Sequence, residues 1–328
     1  MEADRAPDET IRLMIDGHNV LAYSFGSGSE VLFCMSGGPG APCDYVRDSH
    51  SHLADHGYRV VIHDQLGTGA SDRPKDKSLW RVERFVAEVE RVRTALGLGK
   101  VHLLGQSWGG MLALEYALAH PEGVKTLISV NGLADTPLTL LHMERLRSPL
   151  GSETVTMMAR HEADGTTEHP EYKAAVTLLE YRHLCRLAQW PAALQRSHDG
   201  MNMDIYGSMW GPNEMTCIGT LRNWSVVDRL SRITQPALVI SGLYDEVAPP
   251  VAAQIQRGLP NAEIKVFPNS SHTPFFEEPE AYFACSEASW IAIGAEARRW
   301  RRSANIFPSP RRKPGSRATA RSCNPWIP

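Results

Sequence analysis

The stretch VHLLGQSWGGMLALEYALAH, residues 101–120, decides the fold. Its first four residues are a short apolar run that predicts a buried strand, and the apolar periodicity after residue 109 predicts a helix. Between them, residues 105–109 (GQSWG) have the G-x-S-x-G spacing of a nucleophile elbow. Glycine is needed there because larger side chains would collide with backbone in so tight a turn. The turn therefore presents the Ser107 hydroxyl at the amino end of the helix, where the helix dipole favours developing negative charge.

Strand and helix patterns alternate on both sides of this elbow. The continuous apolar runs are typical of strands buried on both faces, and the alternation predicts an α/β protein with a mostly parallel, eight-stranded sheet. The first two strands lie close together around residues 16–19 and predict an antiparallel hairpin. The predicted strands are Ile11–Gly17, Val20–Phe25, Val31–Met35, Tyr58–His63, Val101–Leu104, Thr126–Val130, Ala237–Ser241 and Glu263–Phe267. Helices are predicted at about residues 44–56, 80–96, 109–119, 250–258 and 279–297.

One long interval contains no strand pattern. Residues 135–225 are rich in Leu, Met, His and Arg at helix-like spacing, which predicts a helical cap inserted between strands 6 and 7. The expected organisation is a core of residues 1–134 and 226–300, a cap of residues 135–225, and a basic, disordered tail of residues 301–328.

Composition narrows the class of protein. The 328 residues are 42% hydrophobic and 22% charged, which excludes a disordered chain, and no apolar run approaches the ~18 residues of a membrane span. The amino terminus is polar and unlike a secretory signal. Six cysteines are scattered without metal-ligand spacing, so we expect reduced thiols, a cytoplasmic location and no metal.

Charge is unevenly distributed. Residues 298–328 contain nine basic residues and no acid, so the other residues carry 25 basic and 37 acidic side chains, a net charge of −12. The basic segment lacks helical periodicity. We therefore expect no nucleic-acid or membrane partner.

Two downstream residues complete a nucleophilic triad. Asp245 follows a buried strand, and His272 follows the last strand, so both lie with Ser107 at carboxyl ends of strands. The chain order Ser, Asp, His is that of hydrolases with a nucleophile elbow. Ser107 is the predicted nucleophile, His272 the base and Asp245 the group that orients the base.

A second glycine-rich loop follows the third strand, at residues 36–40 (SGGPG). The backbone N–H groups of Gly38 and Trp108 are predicted to form a two-donor oxyanion hole. A third such loop, residues 64–71 (DQLGTGAS), lacks the last glycine of a dinucleotide fingerprint. We therefore expect no organic cofactor.

Together these motifs resemble the proline iminopeptidase family of α/β hydrolases, and within it the amino acid amidases, including L-proline amide hydrolases. The motifs are SGGPG, DQLGTGASDRP, GQSWGG, GPNE, YDEVAP and SSHTPFFEEP, and the likeness runs from about residue 11 to residue 283. The resemblance implies a hydrolase core with a helical cap, the same three triad residues, and no metal or cofactor.

The resemblance also implies that carboxylates bind the free amino group of the substrate. The matching positions are Glu214, in GPNE, and Glu246, directly after Asp245. A cationic amine in a partly dry pocket must be paired. Trp108, Trp210 and Tyr206 are candidates for an apolar wall beside a pyrrolidine ring.

Two features depart from the family pattern. Family members usually begin the oxyanion loop with His, whereas Ser36 stands here; backbone donors do not depend on that side chain. The likeness also fades after about residue 283.

The sequence therefore predicts a serine hydrolase that cleaves the amide bond after a free amino-terminal residue, preferably proline, through an acyl-enzyme. Its expected partner is a small peptide or an amino acid amide. The alternatives are an esterase for uncharged acyl substrates and a non-catalytic binding protein with the same fold. Residue types do not choose between peptide and simple amide, and they do not give the oligomeric state.

Overall fold

The computed structural model describes residues 5–284. Their centre is one eight-stranded sheet with the strand order β1-β2-β4-β3-β5-β6-β7-β8. The strands are β1 (Glu9–Ile15), β2 (His18–Phe25), β3 (Glu30–Met35), β4 (Tyr58–Asp64), β5 (Val101–Gln106), β6 (Val124–Val130), β7 (Ala237–Gly242) and β8 (Ala262–Phe267).

The sheet confirms the predicted strands and their mostly parallel arrangement. β1 pairs with β2, and β2 with β4, in antiparallel fashion, whereas every later pair from β4 to β8 is parallel. The central strands β5 and β7 are buried at every residue because helices cover both faces. The predicted strand ends differ from the observed ones by at most two residues.

Ten α-helices have both ends among the described residues, and five of them lie outside the segment between β6 and β7. The predicted helix over residues 44–56 is wrong at its end: α1 stops at His50, and residues 51–56 form a 3-10 helix that ends on Gly57. Most of the helix predicted at residues 279–297 lies outside the described residues. The helices are α1 (Asp44–His50), α2 (Val82–Ala95), α3 (Trp108–Ala119), α4 (Thr136–Arg147), α5 (Ser152–Asp164), α6 (Pro170–His183), α7 (Ala192–Asp199), α8 (Met203–Met209), α9 (Pro249–Gly258) and α10 (Pro274–Glu277).

The segment between β6 and β7 is helical. It carries α4 to α8, and we call these five helices with their connecting loops the cap. An isolated bridge pairs Asp135 with Ser225 at the base of this insertion. The division of the chain into domains stays a prediction, and residues 301–328 lie outside the described residues.

No helix in residues 5–284 combines the length and apolar character that crossing a bilayer requires.

Candidate active site

Ser107 lies on the sharp turn between β5 and α3. Its backbone has φ 56° and ψ −121°, a conformation that is strained for a residue with a side chain. The flanking glycines make this turn possible. A Cβ atom on Gly105 would lie 1.9 Å from the carbonyl oxygen of Gly109, and one on Gly109 would lie 2.4 Å from that of Met35. The local sequence therefore folds as a nucleophile elbow.

Ser107 opens into a small pocket between the core and the cap. Gly38, His272 and Glu214 line the same pocket, so the structure brings four predicted site residues together. Asp245, Glu246 and Trp108 do not line it. The cap supplies Leu184, Leu194, Ser197, His198 and Met201 to the rest of the lining, and the core supplies Ala41, Tyr45, Gln106 and Thr273.

His272 is hydrogen-bonded to Asp245 behind the pocket. The Nδ1 atom of His272 lies 2.7 Å from Oδ1 of Asp245, and both side chains are buried. A proton on Nδ1 donated to this carboxylate leaves Nε2 as the basic nitrogen. Burial lowers the pKa of His272, but the charge and hydrogen bond of Asp245 outweigh it, with a further contribution from Glu214, so the pKa is raised above its ordinary value.

Asp245 is held in place by one donor from another loop and one from its own loop. Asn131, at the carboxyl end of β6, donates its Nδ2 to Oδ2 of Asp245 at 2.6 Å and to the carbonyl of Ser271 at 3.0 Å. The backbone N–H of Val247 donates to Oδ1 of Asp245 at 3.0 Å. Asn131 was not predicted from the sequence. Its position directly after a strand is the signal that could have identified it.

The loop that carries His272 is fixed by Glu277. Its carboxylate accepts hydrogen bonds from the N–H and hydroxyl of Ser271 at 2.9 and 2.8 Å, and from the N–H of Thr273 at 3.2 Å. Gln106 donates its Nε2 to the carbonyl of His272 at 3.1 Å. These contacts set the position of the imidazole relative to the elbow.

The loop with Gly38 lies against the elbow through side chains that the sequence did not single out. The Tyr45 hydroxyl accepts the N–H of Gly37 at 2.6 Å and donates to Oε1 of Gln106. Gln65 donates to the carbonyl of Ser36 at 3.1 Å and accepts from the indole N–H of Trp108 at 3.0 Å. The loop is therefore braced from its neighbours, with Ser36 at the place where the resemblance leads one to expect histidine.

Two carboxyl groups lie close to the base. Oε1 of Glu246 is 3.7 Å from Nε2 of His272, and Oε2 of this buried side chain has no hydrogen-bond partner among the described residues. Burial, with the nearby charges of Glu214 and Asp245, raises the pKa of Glu246 well above its ordinary value. Burial also raises the pKa of Glu214. Two crowded carboxyl groups with an unpartnered oxygen are suited to a cation.

The aromatic wall proposed from the sequence is wrong. Trp108, Trp210 and Tyr206 do not line the pocket. The indole of Trp108 bonds to Gln65, as described above, and that of Trp210 donates to the backbone carbonyl of Glu214 at 3.1 Å. The aromatic ring at the pocket surface is that of Tyr45. Indole N–H groups that find acceptors within the protein turn these rings away from the pocket.

One group among the described residues has the composition of a metal site, far from this pocket. His161, His169 and Glu171 lie close together in the cap. Arg160 donates to the same Glu171 oxygen at 2.8 Å. This ion-paired cluster is accounted for as a contact between α5 and α6.

Comparison with known proteins defines the class of this chain. Residues 30–279 match the α/β hydrolase fold family, which covers more than half of the chain, as the elbow and the sheet order lead one to expect. The chain belongs to this fold family, and its closer relatives place it in the proline iminopeptidase family of these hydrolases.

Two of these relatives show the extent of the match. The proline iminopeptidase of Heyndrickxia coagulans is 38% identical over 260 residues, which are 79% of this chain and 89% of the relative. That of Saccharolobus solfataricus is 36% identical over 262 residues, 79% and 84% of the two chains.

Solved structures agree with this family assignment. The crystal structure of VinJ has a TM-score of 0.83 and 32% identity, and covers 88% of this chain and 99% of VinJ. The proline iminopeptidase of Mycobacterium smegmatis has a TM-score of 0.81 and 33% identity, and covers 88% and 100%. The resemblance inferred from the motifs is thus confirmed.

Proposed function

We propose that this hydrolase removes an amino-terminal residue, preferably proline, from a small peptide or an amino acid amide, by serine catalysis. The observation that carries the proposal is the pair of carboxyl groups, Glu214 and Glu246. They are crowded beside His272, the predicted base, at the pocket that contains Ser107. The relatives named proline iminopeptidase support the same substrate class. A site built for an acyl group without charge has no need of two carboxyl groups there.

The substrate ammonium takes the place between the two carboxyl groups. It stabilises the charged forms of both groups, which burial disfavours without a cation, and it fixes the distance from the amine to the scissile carbonyl. An acetylated amine brings no positive charge and leaves both carboxyl groups unpaired, so it is rejected.

The first half of the reaction forms the acyl-enzyme. His272 takes the proton of Ser107 at Nε2 while the serine oxygen attacks the carbonyl carbon. The backbone N–H groups of Gly38 and Trp108 stabilise the oxyanion. Trp108 suits this role because it is the first residue of α3, where the N–H has no acceptor in its own helix. The protonated imidazole then gives its proton to the departing amine or ammonia.

The second half releases the amino acid. Water loses a proton to His272 and attacks the acyl carbonyl, and the Ser107 oxygen leaves with that proton. Asp245 keeps the imidazole in one tautomer through both halves. No metal ion or organic cofactor takes part in this scheme.

A cytoplasmic location belongs to the same proposal. The four cysteines of the described residues, Cys34, Cys43, Cys185 and Cys217, are all free and buried. This is the state expected of thiols in a reducing compartment.

The test compares four substrates: L-prolinamide, a Pro-X dipeptide, N-acetylprolinamide and p-nitrophenyl acetate, with Ser107→Ala as the control. Turnover of the two free amines, but not of the acetylated amide, is the expected result, and the ratio of amide to dipeptide gives the preferred leaving group. Turnover of the acetate alone would make the protein an esterase. No turnover, with Ser107 unreactive toward a fluorophosphonate, would indicate a binding protein.

A further inference from the structure

We propose that three cap residues outside the Ser107 pocket, Arg147, Glu162 and Tyr172, are positioning residues for Glu214. We call them the brace. They come from α4, α5 and α6 respectively, and none of them lines the pocket around Ser107. The proposal rests on the amine-binding role of Glu214 given above and explains how a loop holds that carboxyl group in place.

The brace is centred on one carboxylate oxygen. Oε1 of Glu162 accepts a hydrogen bond from the Tyr172 hydroxyl at 2.8 Å and lies 2.9 Å from Nη1 of Arg147. The side chains of Arg147 and Tyr172 are buried, at 5% and 1% exposure. The Glu162 side chain is 22% exposed, so its contacts are shielded from water on the side of Arg147 and Tyr172, where competition with water is reduced.

The brace contacts the Glu214 loop on both sides of that residue. Before it, Asn213 donates its Nδ2 to the Tyr172 hydroxyl at 3.3 Å. After it, Arg147 donates through Nη2 to the carbonyl of Met215. One residue further, the Thr216 hydroxyl donates to Oε1 of Glu162 at 2.9 Å. Residues 213, 215 and 216 are thus tied to three different helices.

The inner side of the loop is fixed as well. The indole N–H of Trp210 donates to the backbone carbonyl of Glu214 at 3.1 Å, and the N–H of Met215 donates to Oδ1 of Asn213 at 3.0 Å. Every residue from 213 to 216 therefore has a hydrogen bond that restricts it. The Glu214 side chain is left to face the pocket.

Packing alone does not hold this loop. Its outer side faces an open cavity of about 1100 Å³, lined by Pro212, Met215 and Thr216 together with Arg147 and Glu162. Beyond it, Ile218 is 64% exposed. Met215 is buried in an apolar cluster with Tyr172, so packing holds this one residue of the loop and the directional contacts of the brace hold the residues beside it.

The first experiment removes the Tyr172 hydroxyl. We expect Tyr172→Phe to raise KM for L-prolinamide about 10-fold, since a small displacement of a binding group is enough for such a loss. Turnover of p-nitrophenyl acetate, which has no amine, should stay within about 2-fold. The matched control is Tyr181→Phe, also on α6, whose side chain is 47% exposed.

A conservative pair separates positioning from stability. Thr216→Val removes the hydroxyl that bonds to Glu162 and should raise KM, whereas Thr216→Ser keeps it and should restore the wild-type value. Equal loss of amide and ester turnover in Tyr172→Phe, in step with a lower melting temperature, would overturn the proposal.

Two further measurements test the brace, one in a double variant and one without substrate. On a Glu214→Gln background, Tyr172→Phe should change KM by less than about 2-fold, because the group it positions is already lost. Hydrogen exchange of amides 213–218 should speed up in Tyr172→Phe and not in Tyr181→Phe; unchanged exchange would refute the brace. If the wild type does not hydrolyse prolinamide, the proposed function fails, and the exchange arm still decides whether the brace orders the loop.

Discussion

At the scale of a single residue, Glu246 gives the most specific prediction about the substrate. Its carboxyl group is buried 3.7 Å from His272 with one oxygen unpartnered. Glu246→Gln keeps the size and removes the charge. We expect kcat/KM for L-prolinamide to fall about 100-fold, as when one partner of a buried charge pair is removed. Hydrolysis of p-nitrophenyl acetate should change less than about 3-fold.

The control for this prediction is Glu280→Gln, at an exposed position, which should leave both activities unchanged. Equal loss of amide and ester turnover in Glu246→Gln would mean that the residue supports His272 and does not recognise the amine.

The second residue-scale prediction concerns the pH at which the base works. The contacts of His272 with Asp245 raise its pKa above the ordinary value of about 6.5. Because only the neutral imidazole accepts the Ser107 proton, reaction of Ser107 with a fluorophosphonate should increase with pH, with a midpoint above about 6.5. Asp245→Asn should slow labelling and move the midpoint to lower pH. A midpoint at or below 6.5 in the wild type would contradict this account.

Some residues of the site could be predicted from the sequence and others could not. Ser107, Asp245 and His272 were found because each follows a strand, and strand ends are visible in the sequence; their catalytic roles stay a prediction. Tyr45 and Gln65 were not found. Their contribution is a contact between loops, such as the bond from Trp108 to Gln65, and no local pattern encodes it.

At the scale of elements, the strands were predictable because burial on both faces leaves an apolar run. The break between α1 and the 3-10 helix of residues 51–56 was not predictable, because the same residue types fit either helix geometry. Within the cap the helical character was clear, but its residues carry no sign of which helices meet. The brace depends on just that meeting of α4, α5 and α6.

His50, which is buried in α1, gives a prediction about how the free energy of unfolding changes in acid. Burial, and secondarily His52, lowers the pKa of His50 to about 3, and its Nε2 lies 3.0 Å from the Tyr282 hydroxyl. Below about pH 6.5 the unfolded chain takes up a proton that folded His50 refuses. This residue should therefore cost the fold about 2 kcal/mol between pH 6.5 and 5, at about 1.4 kcal/mol per pH unit.

The measurement is urea unfolding of wild type and His50→Asn at several pH values in that range. The variant should be less stable at pH 7 and should show a flatter pH dependence. The same change at His120, a partly exposed residue at the end of α3, is the control. Parallel pH profiles for wild type and His50→Asn would refute the prediction.

At the scale of the whole molecule, charge and the position of the site act together. The full chain has a net charge of −3, and residues 1–297, which include the pocket, carry a net charge of −12. The pocket between core and cap contains Glu214 with Glu246 close to it. An acidic body of this kind attracts a cationic substrate over distances comparable with the Debye length, which is about 10 Å at 0.1 M salt. The amine is therefore favoured before it reaches the pocket.

This attraction is measurable as a salt dependence. We expect kcat/KM for L-prolinamide at pH 7 to fall about 3-fold between 0.02 and 0.5 M NaCl, because salt screens the long-range field of the protein. The rate with p-nitrophenyl acetate, which has no charge to be attracted, should stay constant over the same range. Glu246→Gln should keep most of the salt effect, since one buried charge of many is removed. An equal response of both substrates would show that salt acts on the protein itself, and would leave amine recognition to the short-range contacts of Glu214 and Glu246.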